Sequence, residues 1–341
     1  MKSIRNITRA AAIISVFAFH SCERRSLEDF DMEYAIIPVH IDWSVSGVAV
    51  EEMHRASVWL FPIDGAMPME YRLEGNLVSR EINVPVGVYS VLVFNETIDE
   101  NDWNGIAFTG TESFQNFAAR SITKEEIGFY ERSDDLPLVE NPEAIAAWSI
   151  DQFEVTPEMV SRTRTLLKNK TDLETEVPHL TAVQPTPRFE RVVVTAYVQN
   201  LSNAKQATGT INGMTAGVYM VSGERIPEPS AHAFILNGRV YDDNRKDGTT
   251  TRSFNIFGRA NPKKHNLAID FLLSDGTWHP SEEFDVTKLI VTEDIEHVRT
   301  NFIYLGYGNR PGDRPIILPE GEIDENGISV DQWDEVTIPL K

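Results

Sequence analysis

At 341 residues, with 41% hydrophobic and 24% charged residues, the chain has globular composition and length for about two domains. Fifty-two acidic against 31 basic residues leave a net charge of −21; this repels phosphate backbones and anionic lipid surfaces, so nucleic acid is excluded as a partner and membrane attachment has to be covalent or hydrophobic. The single cysteine excludes an internal disulfide and a thiolate zinc site.

Residues 1–21 read as a secretory signal peptide: Lys2, Arg5 and Arg9 without an acid, then the apolar run AAAIISVFAF, then the small Ser21. That run is too short to span about 30 Å of hydrocarbon as a helix. Cys22 follows Ser21 directly and resembles the lipobox cysteine of bacterial lipoproteins, which is acylated after the signal is cut away; Phe19 and His20 depart from that motif's commoner residues. Cys22 is therefore the expected lipidation site, the alternative being an ordinary signal followed by an unmodified thiol. Residues 22–33 are polar and aperiodic, a tether able to reach about 40 Å when extended.

Strand signals dominate from residue 34. In YAIIPVHIDW, the residues Ala35, Ile37, Val39, Ile41 and Trp43 share one face by period-two alternation. ASVWLFPIDGAMPMEYRL places Asp64-Gly65 between two strands, and EINVPVGVYSVLVFNE, apolar on both faces from Val88 to Phe94, predicts a central strand covered on both sides. TPEMVSRTRTLLKNK predicts a helix: Thr156 as N-cap, Pro157 at the first position, and Met159, Val160, Thr163, Leu166 and Leu167 on one side. Pro178, Pro185 and Pro187 punctuate a junction, which divides the mature chain into an N-terminal domain over residues 34–182 and a C-terminal domain over residues 183–341.

The second half again reads as strands. Val192, Val194, Ala196 and Val198 alternate in RFERVVVTAYVQ, and X-Gly hairpins are expected at Asn237-Gly238, Asp275-Gly276 and Asn326-Gly327. Hairpins in both halves predict an all-β protein of two antiparallel β-sandwich domains in tandem with a short helical insertion.

No catalytic or metal pattern stands out, and neither a cofactor nor a metal is expected. His40, His54, His179, His232, His265, His279 and His297 form neither HxH nor HExxH. DDNRKDG, residues 242–248, fails as a calcium loop because Lys246 holds an oxygen-donor position and Gly248 arrives late. GYGNRPG, residues 306–312, lacks the dinucleotide-binding spacing. Of the tryptophans, Trp43 and Trp59 sit in strand patterns and read as core, whereas Trp103 in the polar ENDWNG is the candidate ligand-binding aromatic.

In order, the chain carries a lipobox-like cysteine, a first strand ending in DWS, the SVWLFPIDG hairpin, the strand INVPVGVYSVLVFNE, the segment IAFTGTESF and a proline-marked second half beginning LTAVQPTPRFERVVV. This order resembles Bacteroidales lipoproteins of the DUF5119 group, which are similar to the fimbrillin superfamily and its anchor subunits of FimB and Mfa2 type. The resemblance implies transthyretin-like sandwiches, no enzymatic activity, and an anchor, assembly or accessory role in type V pili at the outer membrane. Its implied partners are fimbrial (pilin) subunits, through donor-strand exchange, and outer-membrane lipid, through acylated Cys22. Arg55 in MHRAS lacks the surroundings of a stalk-subunit processing site, which implies an unprocessed protein. A surface glycan-binding lipoprotein is the alternative; it requires an exposed aromatic pair flanked by amides or acids on one edge of a sandwich.

Overall fold

The computed structural model describes residues 34–98, 105–123, 136–169, 179–260 and 264–321. Cys22, Trp103, Asn326-Gly327 and the terminal DEVTIPL lie outside them. The protein is all-β with one α-helix, α1 (Pro157–Asn169), and among the described residues its strands form five sheets.

The first sheet has the order β10 (Leu180–Val183), β1 (Tyr34–Ile41), β4 (Ser79–Pro85). Facing it is a second sheet of β11 (Thr186–Pro187), β9 (Ala146–Val155), β5 (Gly87–Phe94), β2 (Arg55–Pro62) and β3 (Met69–Glu74). The alternation in YAIIPVHIDW sends Ala35, Ile37, Val39, Ile41 and Trp43 into the core between them, where all five are buried. Burial of each large aliphatic side chain contributes roughly 1.5–3 kcal/mol. The indole Nε1 of Trp43 donates to the Leu77 carbonyl at 2.8 Å, so its polar atom is satisfied.

As its two-sided apolar pattern predicts, β5 is covered on both faces. Tyr89, Val91 and Val93 enter the first core, whereas Leu92 and Phe94 enter a separate cluster around Phe117. That cluster lies under a third sheet, β14 (Gly217–Tyr219), β7 (Ala118–Ser121), β6 (Ile106–Thr109).

The second sandwich faces a fourth sheet against a fifth. The fourth has the order β19 (Trp278–Pro280), β18 (Asn266–Leu273), β13 (Ala204–Thr215), β15 (Pro229–Leu236), β8 (Leu138–Val139), with β20 (Phe284–Asp285) also on β18. The fifth has the order β16 (Gly238–Tyr241), β17 (Gly248–Ile256), β12 (Glu190–Gln199), β22 (Val298–Leu305), β21 (Val291–Ile295), and β23 (Ile316–Ile317) pairs with the far end of β12. Val192, Val194, Ala196 and Val198 are buried in its core, as their alternation predicts. Pairing is mainly antiparallel, with β1–β10, β12–β22, β12–β23 and β8–β15 parallel.

Three strands tie residues before position 183 to residues after it, the first being β11, which pairs with β9 in the second sheet. β14 completes the third sheet by pairing with β7, and β8 extends the fourth sheet by pairing with β15. Phe117, fully buried, and Val218, Met220 and Phe257 therefore share one apolar cluster.

Three local expectations change or sharpen. Asn237-Gly238 is not a hairpin: β15 belongs to the fourth sheet and β16 to the fifth, so the dipeptide carries the chain from one sheet to the other. Gly238 serves close approach, because a Cβ there would meet the Thr251 carbonyl oxygen at 3.1 Å. In α1 the Met159 amide donates to Thr156 Oγ1 at 3.3 Å, the expected cap, but Leu167 is 45% exposed while Met159, Val160, Thr163 and Leu166 are buried. Asp64-Gly65 and Asp275-Gly276 do turn hairpins, with φ of 85° and 86° at the glycines.

Candidate functional site

The residues singled out as sites from the sequence, Cys22 and Trp103, lie outside the described residues. Trp43 takes a core position, whereas Trp59 is half-buried and packs against the core on Phe117 at a ring separation of 5.3 Å. DDNRKDG is the loop of the β16–β17 hairpin and consumes its own oxygens. Asn244 Oδ1 accepts from the Lys246 and Asp247 amides, Asp247 Oδ1 accepts from the Asn200 amide at 2.8 Å, and Asn244 Nδ2 donates to Asp247 Oδ2. Among the described residues no group of three or more His, Cys, Asp or Glu side chains is placed to hold a metal ion.

Two histidines are interior groups. Burial pushes His232 down to about 3, and its Nδ1 lies 3.1 Å from Asn141 Oδ1; His265 is also lowered, chiefly by burial. In GYGNRPG the glycines fold around a carboxylate instead of a phosphate. The Gly306 and Gly308 amides donate to Asp313 Oδ1 and Oδ2 at 2.7 and 2.9 Å. This clasp returns the chain to β12, where β23 pairs and Ile316 and Leu318 are buried.

The arrangement with binding character is the outer face of the fifth sheet. Tyr197 alternates with the buried valines of β12 and so faces outward, and Tyr307, at the GYGNRPG loop, packs on it with ring centres 5.6 Å apart and planes 32° from parallel. Phe302 and Tyr304 of β22 stack beside them, centres 6.3 Å apart and planes 6° from parallel. Tyr304 and Tyr307 are about two-fifths exposed, and Val240, on the β16 edge, is 69% exposed. Two exposed tyrosines beside two half-buried rings make an aromatic patch on this sheet face, the kind of surface that marks a binding site.

Acidic groups rim the aromatic face. The Tyr197 hydroxyl donates to Asp242 Oδ2 at 2.9 Å. That hydrogen bond is the first cause raising the Tyr197 pKa; the Tyr307 pKa is raised first by burial, then by Tyr304, Asp242 and Asp313. Both phenols therefore stay protonated as donors at neutral pH. Flat, amphipathic rings with carboxylates at their margin suit a neutral, hydroxyl-rich ligand, which stacks on the rings and donates to the acids. Sequence reading passed over this face because its members are spread over residues 197–307; the outward alternation of Tyr197, Phe302 and Tyr304 was the available signal.

A family model described as "Domain of unknown function (DUF5119)" matches residues 21–234. No curated protein matches the chain. Among solved structures, a candidate adhesin from Bacteroides ovatus is similar at 18% identity and a TM-score of 0.54, over 88% of this chain and 98% of that one. The fimbrial anchor protein Mfa2 from Porphyromonas gingivalis is similar at 12% identity and a TM-score of 0.45, over 83% of this chain and 95% of that one. At 18% identity the first likeness is one of fold.

Proposed function

The chain belongs to the DUF5119 family, and from that premise we propose that it is a non-enzymatic, lipid-anchored protein of the outer-membrane surface, an anchor, assembly or accessory subunit of fimbrillin-like pili. The observation that carries this reading is the two-sandwich fold shared along 98% of the candidate adhesin's length. Cys22 is the attachment point, residues 22–33 are the tether, and residues 34–182 and 183–341 are the two domains, braced by β8 and β14. Partners join by strand addition, main-chain hydrogen bonds giving affinity and alternate side-chain pockets giving specificity. β21 is the receiving edge: β22 is its one strand neighbour among the described residues, and Val291, Thr292, Glu293 and Asp294 are exposed. The test is detergent extraction of native cells, with mass spectrometry of the chain's amino terminus and of co-purifying proteins. Acylated Cys22 together with pilus subunits supports the reading; an unmodified terminus, or acylated protein without a pilin, sinks the respective half of it.

The aromatic face supports a second reading, a surface glycan-binding lipoprotein. Its test is a panel of neutral oligosaccharides against the wild type, Tyr304→Ala and Trp103→Ala. Binding lost in Tyr304→Ala places the sugar on the fifth sheet, binding lost in Trp103→Ala places it in the ENDWNG segment, and no binding to the wild type removes the reading.

A further inference from the structure

At the opposite end of β12 from Tyr197, about 23 Å away at some 3.3 Å per residue, two arginines pair with one buried carboxylate and a third stands close by, next to the glycine that Arg225 crosses. Glu190 is 4% exposed. The Arg225 guanidinium pairs with its Oε1, Arg299 Nε lies 3.8 Å from the same oxygen, and Asn301 Nδ2 donates to Oε2 at 2.8 Å. Arg225 lies across Gly258, whose φ is +132° and where any Cβ would overlap the guanidinium; the next residue is Arg259. The Arg259 pKa is lowered mainly by burial, with Glu190 opposing and Arg299 and Arg225 adding to the decrease, so all three cations share one field. Backbone bridges from Arg225 to Val218 and from Arg259 to Met214 fix the stems on β14 and β13.

One carboxylate does not balance three guanidiniums. Among the described residues Glu190 is the acid that pairs with Arg225 and Arg299, Arg259 makes no ion pair, and Asp294 stands opposite Arg299 in the β21–β22 ladder. With Glu190 and Asp294 set against three guanidiniums, the cluster holds a local charge of about +1 on a chain of net −21. A structural ion pair for Glu190 needs one arginine; the other two are held against their mutual repulsion. Arg225 and Arg299 side chains are 38% and 46% exposed, so the cluster opens to solvent. Planar guanidinium forks match a carboxylate in a bidentate manner. The acidic field of the whole protein repels a polyanion, which leaves a singly charged ligand as the one admitted.

We infer that Arg225, Arg259 and Arg299, organised around Glu190, form a binding site for a single carboxylate carried on an otherwise uncharged ligand. The group comes from a terminal sugar acid or from an acidic peptide side chain. Titration calorimetry on the signal-free chain distinguishes these sources with two matched pairs: methyl glucuronoside against methyl glucoside, and N-acetylglutamate amide against N-acetylglutamine amide. The expected result is saturable binding of one or both carboxylates, at least tenfold tighter than the neutral counterpart, and at least tenfold weaker in Arg259→Gln. Arg299→Gln, at the exposed margin of the cluster, gives the same direction without disturbing the Arg225–Glu190 pair. Equal binding of charged and neutral partners, no binding of either carboxylate, or unchanged affinity in both variants overturns the inference. None of these results depends on whether the chain accompanies pili.

Discussion

The backbone amide of Ile36, in β1, donates to the hydroxyl of Thr163, in α1, at 3.4 Å. β1 is paired with β4 from Tyr34 to His40, but on its other side β10 reaches only Val39 and Ile41. The uncovered edge there carries Ile36 and Pro38, and Pro38 has no amide to donate. α1 thus lies where a strand would otherwise extend the sheet, and a fully buried threonine satisfies the remaining donor.

Thr163→Val should therefore destabilise the protein by about 1–3 kcal/mol, the cost of leaving a buried amide unpaired, whereas Thr163→Ser should retain most of that stability. Urea midpoints of the two variants decide this; equal midpoints would show that the hydroxyl does not hold the edge.

His232 predicts a pH dependence. Its ordinary value is 6.5 and burial lowers it to about 3 in the fold. Between these values the unfolded chain takes up a proton that the folded chain does not, so stability falls as pH falls from 6.5 toward 3, by at most about 1.4 kcal/mol per unit. His265, lowered in the same direction, adds to the loss. The urea midpoint at pH 5 should lie below that at pH 7.5, and His232→Gln should narrow the gap. An unchanged gap in the variant would transfer the effect to His265.

The clasp around Asp313 predicts a local effect. Asp313→Ala removes the acceptor for two glycine amides and should cost about 1.5–3 kcal/mol for each charge-assisted bond lost. Hydrogen exchange should quicken along β23, where Ile316 and Leu318 lose their anchored approach. Faster exchange spread evenly over the second sandwich would contradict a local role.

Phe117 is the test of the joint between the two halves. Phe117→Ala should cost about 3–5 kcal/mol, because it leaves a cavity under the third sheet. Both sandwiches should lose their cooperative melting together; a calorimetric scan in which only the N-terminal half shifts would show that the shared cluster does not couple them.

Much of this was legible where one period governs one element. The alternation of Ala35, Ile37 and Val39, and of Val192, Val194 and Ala196, fixes which face each strand buries, since a one-residue slip would expose the whole set. The cap at Thr156 could be read for a similar local reason. Leu167 was misplaced because a helical stripe wide enough for five residues met a surface that covers only four. Glu296-His297 forms the β21–β22 turn with φ of 49° and 69°, but contains neither glycine nor asparagine and so carries no turn signal. β14 and β8 were invisible for a deeper reason: two- and three-residue strands paired across the junction have no period of their own and are set by tertiary contact. The same holds for the arginines around Glu190, which come from separate loops and strands.

The position of β1 has a mechanical consequence. It begins at Tyr34 and forms seven antiparallel pairs with β4. On the proposed anchoring at Cys22, a pull reaches the fold at Tyr34, and a pull directed along that strand loads the ladder in shear, with its hydrogen bonds resisting together. They do not open one after another, as they would in an unzipping hairpin. Beyond β1, the β7–β14 and β8–β15 pairings straddle residue 183, so rotation of one half against the other has to break backbone bonds. Tension applied across the two halves is therefore carried by these pairings instead of being absorbed in a hinge.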